Sequence, residues 1–82
     1  MKTYIKKEYF RHRADLSQYN QNVYECTYNG ACILEKCDDD NTYYYFRFNK
    51  KTNKVGDYLG LSQFESIFDS DVEGVELDSD IW

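Results

Sequence analysis

The chain alternates short runs of apolar and β-branched residues with polar turns, which is the pattern of an antiparallel sheet. The clearest run is "VYECTYNGACILEKC", in which Asn29 and Gly30 separate two β-forming segments. An Asn-Gly pair in this setting favours a two-residue type I′ turn, which needs positive φ at both residues. We therefore expect a hairpin in which Cys26 lies opposite Ile33.

Two further strands are predicted after a polar turn at "DDDN". The run "TYYYFRFN" (42–49) is aromatic and β-branched, and such residues favour strands. Its alternation puts Tyr44, Phe46 and Phe48 on one face, which we expect to be the core face, and exposes the intervening tyrosines. The next run, "VGDYLGL" (55–61), predicts a short edge strand because it contains an aspartate and two glycines.

A short helix is expected after this edge strand. Residues 62–65, Ser-Gln-Phe-Glu, match the S-x-x-E capping box that begins many helices. Phe64, Ile67 and Phe68 have helical spacing, so a helix of about two to three turns would lay these side chains on the sheet. The run "VEL" (75–77) then alternates apolar and acidic residues and predicts a final strand.

The first twenty residues fit two interpretations. Tyr4, Ile5, Tyr9 and Phe10 recur loosely at helical spacing, whereas "TYIKKEYF" also fits a strand with a bulge, which we favour. The predicted fold class is α+β: a small antiparallel β-meander of about four to five strands with one short α-helix packed across it. With no proline and four glycines among 82 residues, nothing predicts a linker, and we expect a single domain over 1–82.

Composition and charge then narrow the class of partner. An aromatic content of 18% indicates a folded chain rather than a disordered one. The net charge of −5 hides a division, because residues 1–54 carry all ten Lys and Arg against seven acids. Residues 55–82 carry eight acids and no Lys or Arg. Long-range attraction therefore favours a basic partner for this acidic part and disfavours free nucleic acid or an anionic membrane.

Cysteine usage indicates a reducing compartment. Cys26, Cys32 and Cys37 are an odd number without a C-x-x-C pair, which argues against a zinc or redox motif. In the predicted hairpin Cys26 and Cys32 lie on opposite faces, so we expect three reduced thiols that pack as small side chains. The segment "MKTYIKKEYFRHR" has no apolar signal region, and no apolar run approaches about 20 residues. We expect a cytoplasmic protein.

The sequence offers no recognisable catalytic or cofactor site. His12 is the only histidine and lies between two arginines, which is typical of a solvated turn rather than a general base. No Gly-rich phosphate-binding motif occurs. Asp69, Asp71 and Glu73 copy the first spacings of an EF-hand loop, but Asp80 stands where that loop needs a glutamate. We expect no catalytic residue, no cofactor and no metal site.

The acidic residues after Phe68 are the most distinctive candidates. Residues two apart on a strand point the same way at a separation of about 6.6 Å, similar to successive phosphates on one nucleic-acid strand. Two triplets have this period: Asp69, Asp71 and Glu73, then Glu76, Asp78 and Asp80. A solvated acidic tail is the competing interpretation, and the sequence leaves both open.

In size, acidity, aromatic richness and lack of catalytic motifs, the chain resembles the small acidic inhibitors of phages and other mobile elements, the anti-CRISPR and anti-restriction proteins. The resemblance covers no motif. It implies a non-enzymatic inhibitor that docks on the basic, nucleic-acid-binding surface of a host defence protein or ribonucleoprotein, in the host cytoplasm. The predicted partner-binding residues are Asp69, Asp71, Glu73, Glu76, Asp78, Asp80, Trp82, Tyr43, Tyr45 and Tyr58.

Two alternatives stay open. The first is an immunity or antitoxin protein that blocks a nuclease toxin, a class that the chain also resembles in general character. The second is a small RNA- or DNA-binding module that uses Arg11, Arg13, Lys50 and Lys51, with exposed tyrosines as stacking platforms. The net charge makes direct nucleic-acid binding the less expected of these. We expect a monomer or a weak homodimer paired through an exposed edge strand.

Overall fold

The computed structural model describes residues 3–69 and 74–77. This part of the chain forms seven strands and a single 3-10 turn, Lys7–Tyr9. The strands are β1 (Thr3–Lys6), β2 (Phe10–His12), β3 (Gln21–Cys26), β4 (Cys32–Cys37), β5 (Tyr43–Asn49), β6 (Lys54–Gln63) and β7 (Gly74–Leu77).

Five strands form one antiparallel sheet in chain order, β2-β3-β4-β5-β6. Each strand pairs with the next along the chain, which is the predicted meander. β1 and β7 form a separate antiparallel pair, in which Thr3 lies opposite Leu77 and Lys6 lies opposite Gly74. The strand interpretation of the first residues and the strand at 75–77 are therefore confirmed, although β1 and β7 pair with each other rather than with the main sheet.

The α+β fold class is wrong, because the described part of the chain contains no α-helix and the fold is mostly β. Ser62, the expected helix cap, lies in β6 opposite Tyr44. Phe64, expected on the buried stripe of the helix, is 78% exposed. Ser66 and Ile67 instead bond to side chains of the sheet, so tertiary contacts override the helical pattern. In the described part no helix is long and apolar enough to cross a membrane.

The hairpin of β3 and β4 has a longer turn than predicted. Residues 27–30 connect Cys26 to Ala31, and Cys26 N donates a 2.8 Å hydrogen bond to Ala31 O. Gly30 has a φ of 75°, whereas Asn29 lacks positive φ and accepts a 2.9 Å bond from Ala31 N through its Oδ1. A type I′ turn needs positive φ at both central residues, so that prediction is wrong.

The register of this hairpin shifts by two residues as a result, and Tyr24 rather than Cys26 lies opposite Ile33. Because the side-chain period of a strand is two, this shift leaves each side chain on its predicted face. Cys32 accordingly packs with Leu34, as expected. All three cysteines of the chain are free thiols, as the sequence predicted.

Apolar side chains pack on both faces of the main sheet. We name these the Tyr45 face and the Val23 face. The Tyr45 face buries Ile33, Tyr45, Leu59 and Ile67, with Phe10, Tyr43 and Phe68 packed against them. The Val23 face buries Val23, Cys32 and Leu34, with Leu16, Phe46 and Phe48 packed against them. The sheet is therefore covered on both sides.

This double coverage corrects the predicted core face of β5. Tyr45, expected to be exposed, is 0% exposed, whereas Phe46 and Phe48 are only partly buried. Residues 64–69 cover the Tyr45 face, and the loop that carries Leu16 covers the other face. When both faces of a strand are covered, alternation alone does not identify the more buried one.

The Ile33→Ala variant tests this assignment of the core. Ile33 is 1% exposed, and its truncation should lower the free energy of unfolding by about 2–5 kcal/mol. Val55→Ala is the control, because Val55 is 50% exposed and should change stability by less than about 0.5 kcal/mol. Urea unfolding followed by circular dichroism measures both values. Equal losses in the two variants would contradict the assignment.

Candidate functional site

A buried carboxyl group organises the Tyr45 face. Glu35, on β4, is 1% exposed. Its Oε2 accepts a 2.7 Å hydrogen bond from the Tyr45 hydroxyl and a bond from the Ser66 hydroxyl, and its Oε1 lies 3.4 Å from Asn22 Nδ2. No buried side-chain nitrogen or oxygen in the described part of the chain is without a partner. Glu35 therefore has the donors that a buried carboxyl group requires.

The Tyr45 hydroxyl accepts one hydrogen bond in this network and donates another. Its hydroxyl accepts a 3.0 Å bond from Ile67 N. Burial raises the pKa of Tyr45 well above its ordinary value; the Ile67 amide lowers that pKa, and nearby Glu35 raises it further. The phenol therefore stays protonated and donates a hydrogen bond to Glu35.

These bonds hold residues 64–69, which we name the anchored segment, against the sheet. Ser66 is 5% exposed and Ile67 is 2% exposed. The Phe68 ring stacks on the Tyr24 ring at a centroid distance of 3.8 Å. Two polar bonds and one stacked ring thus fix the middle of a segment that has no regular secondary structure.

The anchored segment exposes an aromatic ring and two carboxylates. Phe64 is 78% exposed, and its neighbour Glu65 is also exposed. Asp69, at the other end of the segment, is exposed too. Ser66 and Ile67 between them are buried and Phe68 is half-buried, so the fold presents these three side chains on a fixed support.

Four of the six predicted acidic residues lie outside the described part of the chain. Asp71, Glu73, Asp78, Asp80 and Trp82 lie outside the described residues. Of the remaining acids, Glu76 pairs with Tyr4 in the β1–β7 sheet, and Asp69 belongs to the anchored segment. The predicted array of carboxylates therefore stays a prediction.

The predicted aromatic anchors differ in exposure. Tyr58 is 47% exposed on β6, Tyr43 is half-buried against the core, and Tyr45 is fully buried. The prediction that Tyr45 is an exposed anchor is therefore wrong. Sequence reasoning also missed Phe64, because its spacing from Ile67 fitted a helical stripe. The preceding edge strand gave no signal that β6 runs on to Gln63.

A second cluster lies on the Val23 face, where three cations converge on Glu25. We name Arg11, Arg13, Glu25 and Lys50 the Glu25 cluster. Glu25 is 7% exposed and lies 3.0 Å from Arg11 Nη2, 2.9 Å from Arg13 Nη1 and 2.5 Å from Lys50 Nζ. Three of the four cations proposed for nucleic-acid binding are thus brought together, although Lys50 is distant in sequence from both arginines.

The ion pairs of this cluster shift the pKa values of Glu25 and Arg13. The bonds from Lys50, then Arg11, then Arg13 lower the pKa of Glu25 from 4.5 to about 2. Arg13 also forms a two-point ion pair with Asp15, at 2.9 and 2.8 Å. That pairing with Arg13 lowers the pKa of Asp15 and, together with Glu25, raises the pKa of Arg13.

The side chain of His12 lies near a serine and an asparagine. Its Nε2 lies 3.2 Å from Ser17 Oγ and 3.3 Å from Asn22 Oδ1. Ser17 Oγ donates a 2.8 Å bond to Arg13 O and accepts a 2.9 Å bond from Val23 N. Through these two bonds Ser17 ties the loop to β3. The described residues contain no group of three or more potential metal ligands.

Tyr45→Phe tests the anchor. The variant removes the donor to Glu35 and the acceptor of Ile67 N, so we expect a loss of about 1–3 kcal/mol in the free energy of unfolding. Tyr58→Phe, which changes a half-exposed ring on β6, should cost less than about 0.5 kcal/mol. Urea titration gives both values, and faster hydrogen exchange at the Ile67 amide in Tyr45→Phe would locate the effect. A Tyr45→Phe variant as stable as Tyr58→Phe contradicts the role of the anchor.

The pH dependence of stability tests the Glu25 cluster. Above about pH 4.5 Glu25 is ionised in both states, and its ion pairs stabilise the native state. As the pH falls from 4.5 to 2, Glu25 becomes protonated in the unfolded chain while it stays ionised in the native state. Protonation therefore favours the unfolded chain, and the stabilisation by the ion pairs is lost. We expect the stability difference between the native sequence and Glu25→Gln to shrink across this range in urea titrations. A difference that is constant from pH 7 to pH 2 would exclude the ion pairs.

Comparison of the chain with protein-family models, with curated proteins and with solved structures finds no match in any of the three.

Proposed function

We propose that this chain is a non-enzymatic protein that binds the basic surface of a partner protein or ribonucleoprotein through the anchored segment and the acidic residues that follow it in sequence. The observation that carries the proposal is the exposure of Phe64, at 78%, beside buried Ser66 and Ile67. An exposed ring on a fixed support, on a segment that also exposes two carboxylates, is suited to bind a basic protein surface.

The contribution of aromatic side chains to binding energy at protein interfaces supports this proposal. Aromatic side chains supply much of the energy at protein interfaces, and they do so best when water is excluded around them. Glu65 and Asp69, exposed on the same segment, would add charge complementary to Lys and Arg of the partner. Because the bonds to Glu35 and Tyr45 already order the segment, binding would cost little further conformational entropy.

The acidic triplets extend the same surface in the proposal. Residues 55–82 carry eight acids and no Lys or Arg, so this part of the chain attracts a basic partner from a distance. We propose that Asp71, Glu73, Glu76, Asp78 and Asp80 pair with Lys and Arg of the partner, and that Trp82 is a further aromatic contact. Tyr58 and half-buried Tyr43 complete the set.

The biological class that fits is a mobile-element inhibitor of the anti-CRISPR or anti-restriction type, acting in the cytoplasm of the host. Three free thiols agree with a reducing compartment. An immunity protein that blocks a nuclease toxin is a related proposal, because a nuclease also presents a basic surface. We propose that the chain acts as a monomer.

Affinity capture from host-cell lysate, at about 50 mM and about 500 mM salt, tests the proposal. We expect a nucleic-acid-handling partner to be retained at low salt and weakened at high salt. Phe64→Ala should reduce retention about tenfold or more, and Glu65→Lys should reduce it further at low salt. Tyr19→Ala is the control, since Tyr19 is 90% exposed elsewhere on the chain. Failure to retain any basic partner at either salt concentration refutes the proposal, as does equal loss in Tyr19→Ala and Phe64→Ala.

A further inference from the structure

An open groove of about 530 Å³ lies beside the Glu25 cluster, away from the anchored segment. The turn after β3 lines one side through Gly30, and the turn after β5 lines the other through Lys50 and Lys51. Cys32 and the half-buried ring of Phe48 contribute apolar surface. The volume lies within the range of about 300–1,000 Å³ that small-ligand sites occupy.

Lys50 and Lys51 bring positive charge to the lining of this groove. Arg11, Arg13 and Lys50 pair with Glu25, and Arg13 also pairs with Asp15, so three cations and two carboxylates leave one net positive charge beside the groove. Lys51 adds a further cation, and its side chain is exposed. An anionic group in the groove would therefore meet the ammonium groups of Lys50 and Lys51.

Gly30 lies close to the end of the Lys50 side chain. It has a φ of 75°, which residues other than glycine rarely adopt. A Cβ atom at this position would lie 3.1 Å from Lys50 Nζ, so a larger residue would require Lys50 to shift slightly. Glycine at residue 30 therefore fits both the turn and the close approach of Lys50.

The lining of the groove also contains a carboxylate. Asp57 lies on β6, and its side chain is exposed. A carboxylate repels an anion but accepts bonds from amine or hydroxyl groups. The groove therefore combines an anion site, an apolar surface with an aromatic ring, and an acceptor for N–H or O–H donors.

We infer that this groove binds a nucleotide, either free or as a unit of a single strand, with its phosphate at Lys50 and Lys51, its base against Phe48 and its donors toward Asp57. The expectation against nucleic acid rested on the net charge of −5. That charge is an average over the chain, and at about 0.1 M salt charges more than about 10 Å apart are largely screened. The local excess of cations therefore decides what the groove attracts.

Fluorescence anisotropy with a labelled single-stranded decanucleotide, at about 50 mM salt, tests the inference on the full chain. Competition with AMP and UMP, with a duplex of the same sequence and with inorganic phosphate separates the sources of the nucleotide. We expect the single strand or the free nucleotides to bind and to compete with each other. Inorganic phosphate should compete at least about tenfold more weakly, because it lacks a base to stack on Phe48.

Lys51→Glu is the decisive variant, because the Lys51 side chain has no part in the bonds to Glu25. It should weaken binding about tenfold or more at low salt and reduce the salt dependence by about one phosphate contact. Lys36→Glu is the matched control: Lys36 is exposed on β4 outside the groove, and the same change in net charge there should weaken binding less than about twofold.

Three outcomes would overturn the inference: no binding of any nucleotide, equal loss in Lys51→Glu and Lys36→Glu, or competition by inorganic phosphate as strong as that by the nucleotides. Both variants should unfold at unchanged urea concentrations, which shows that the fold is kept. Partner capture by the anchored segment should be unaffected in Lys51→Glu, so the two proposals fail or hold separately.

Discussion

The buried Glu35 carboxyl group is the constraint to which the rest of the Tyr45 face conforms. It is 1% exposed. Its hydrogen-bond partners are Tyr45 on β5, Asn22 near the start of β3 and Ser66 in the anchored segment. A buried acceptor left without its donor costs about 1–3 kcal/mol, so every conformation that separates Ser66 or Tyr45 from Glu35 is disfavoured. An apolar residue at this position would leave the segment free to adopt another path. The carboxyl group therefore specifies one arrangement as well as stabilising it.

This constraint explains why residues 64–69 are neither helical nor loose. A short isolated helix is marginal in water, because its first turn fixes several dihedrals for one hydrogen bond. Bonds from Ser66 and Ile67 to preformed sheet side chains need no such nucleus. The cost of this solution is the exposure of Phe64, which a helix on the sheet would have buried. In the proposed function, this exposed ring on a fixed support is the aromatic contact for the partner.

Local patterns predicted the strands and their order, and parity preserved the predicted faces of the β3–β4 hairpin even though its register was off by two. They failed where a distant contact decides the outcome. The capping box at Ser62 was outweighed by pairing with Tyr44 and by the Ser66–Glu35 bond, which joins residues 31 apart. The Glu25 cluster was missed for the same reason, since Lys50 lies 25 residues from Glu25. No pattern of spacing within one segment indicates such a pair.

The two buried carboxyl groups show how one sheet offers different chemistry on its two faces. Glu35 is bonded by the neutral groups of Tyr45, Ser66 and Asn22, so it draws no cation toward the anchored segment and leaves the exposed acids there without compensation from this network. Glu25 draws three cations to the opposite face and neutralises only part of their charge. Among the described residues, Glu65 and Asp69 are exposed on the anchored segment, and Lys50 and Lys51 line the groove beside the other face. If both proposals hold, a ribonucleoprotein, which presents basic protein and nucleotide together, is a partner that would use both surfaces.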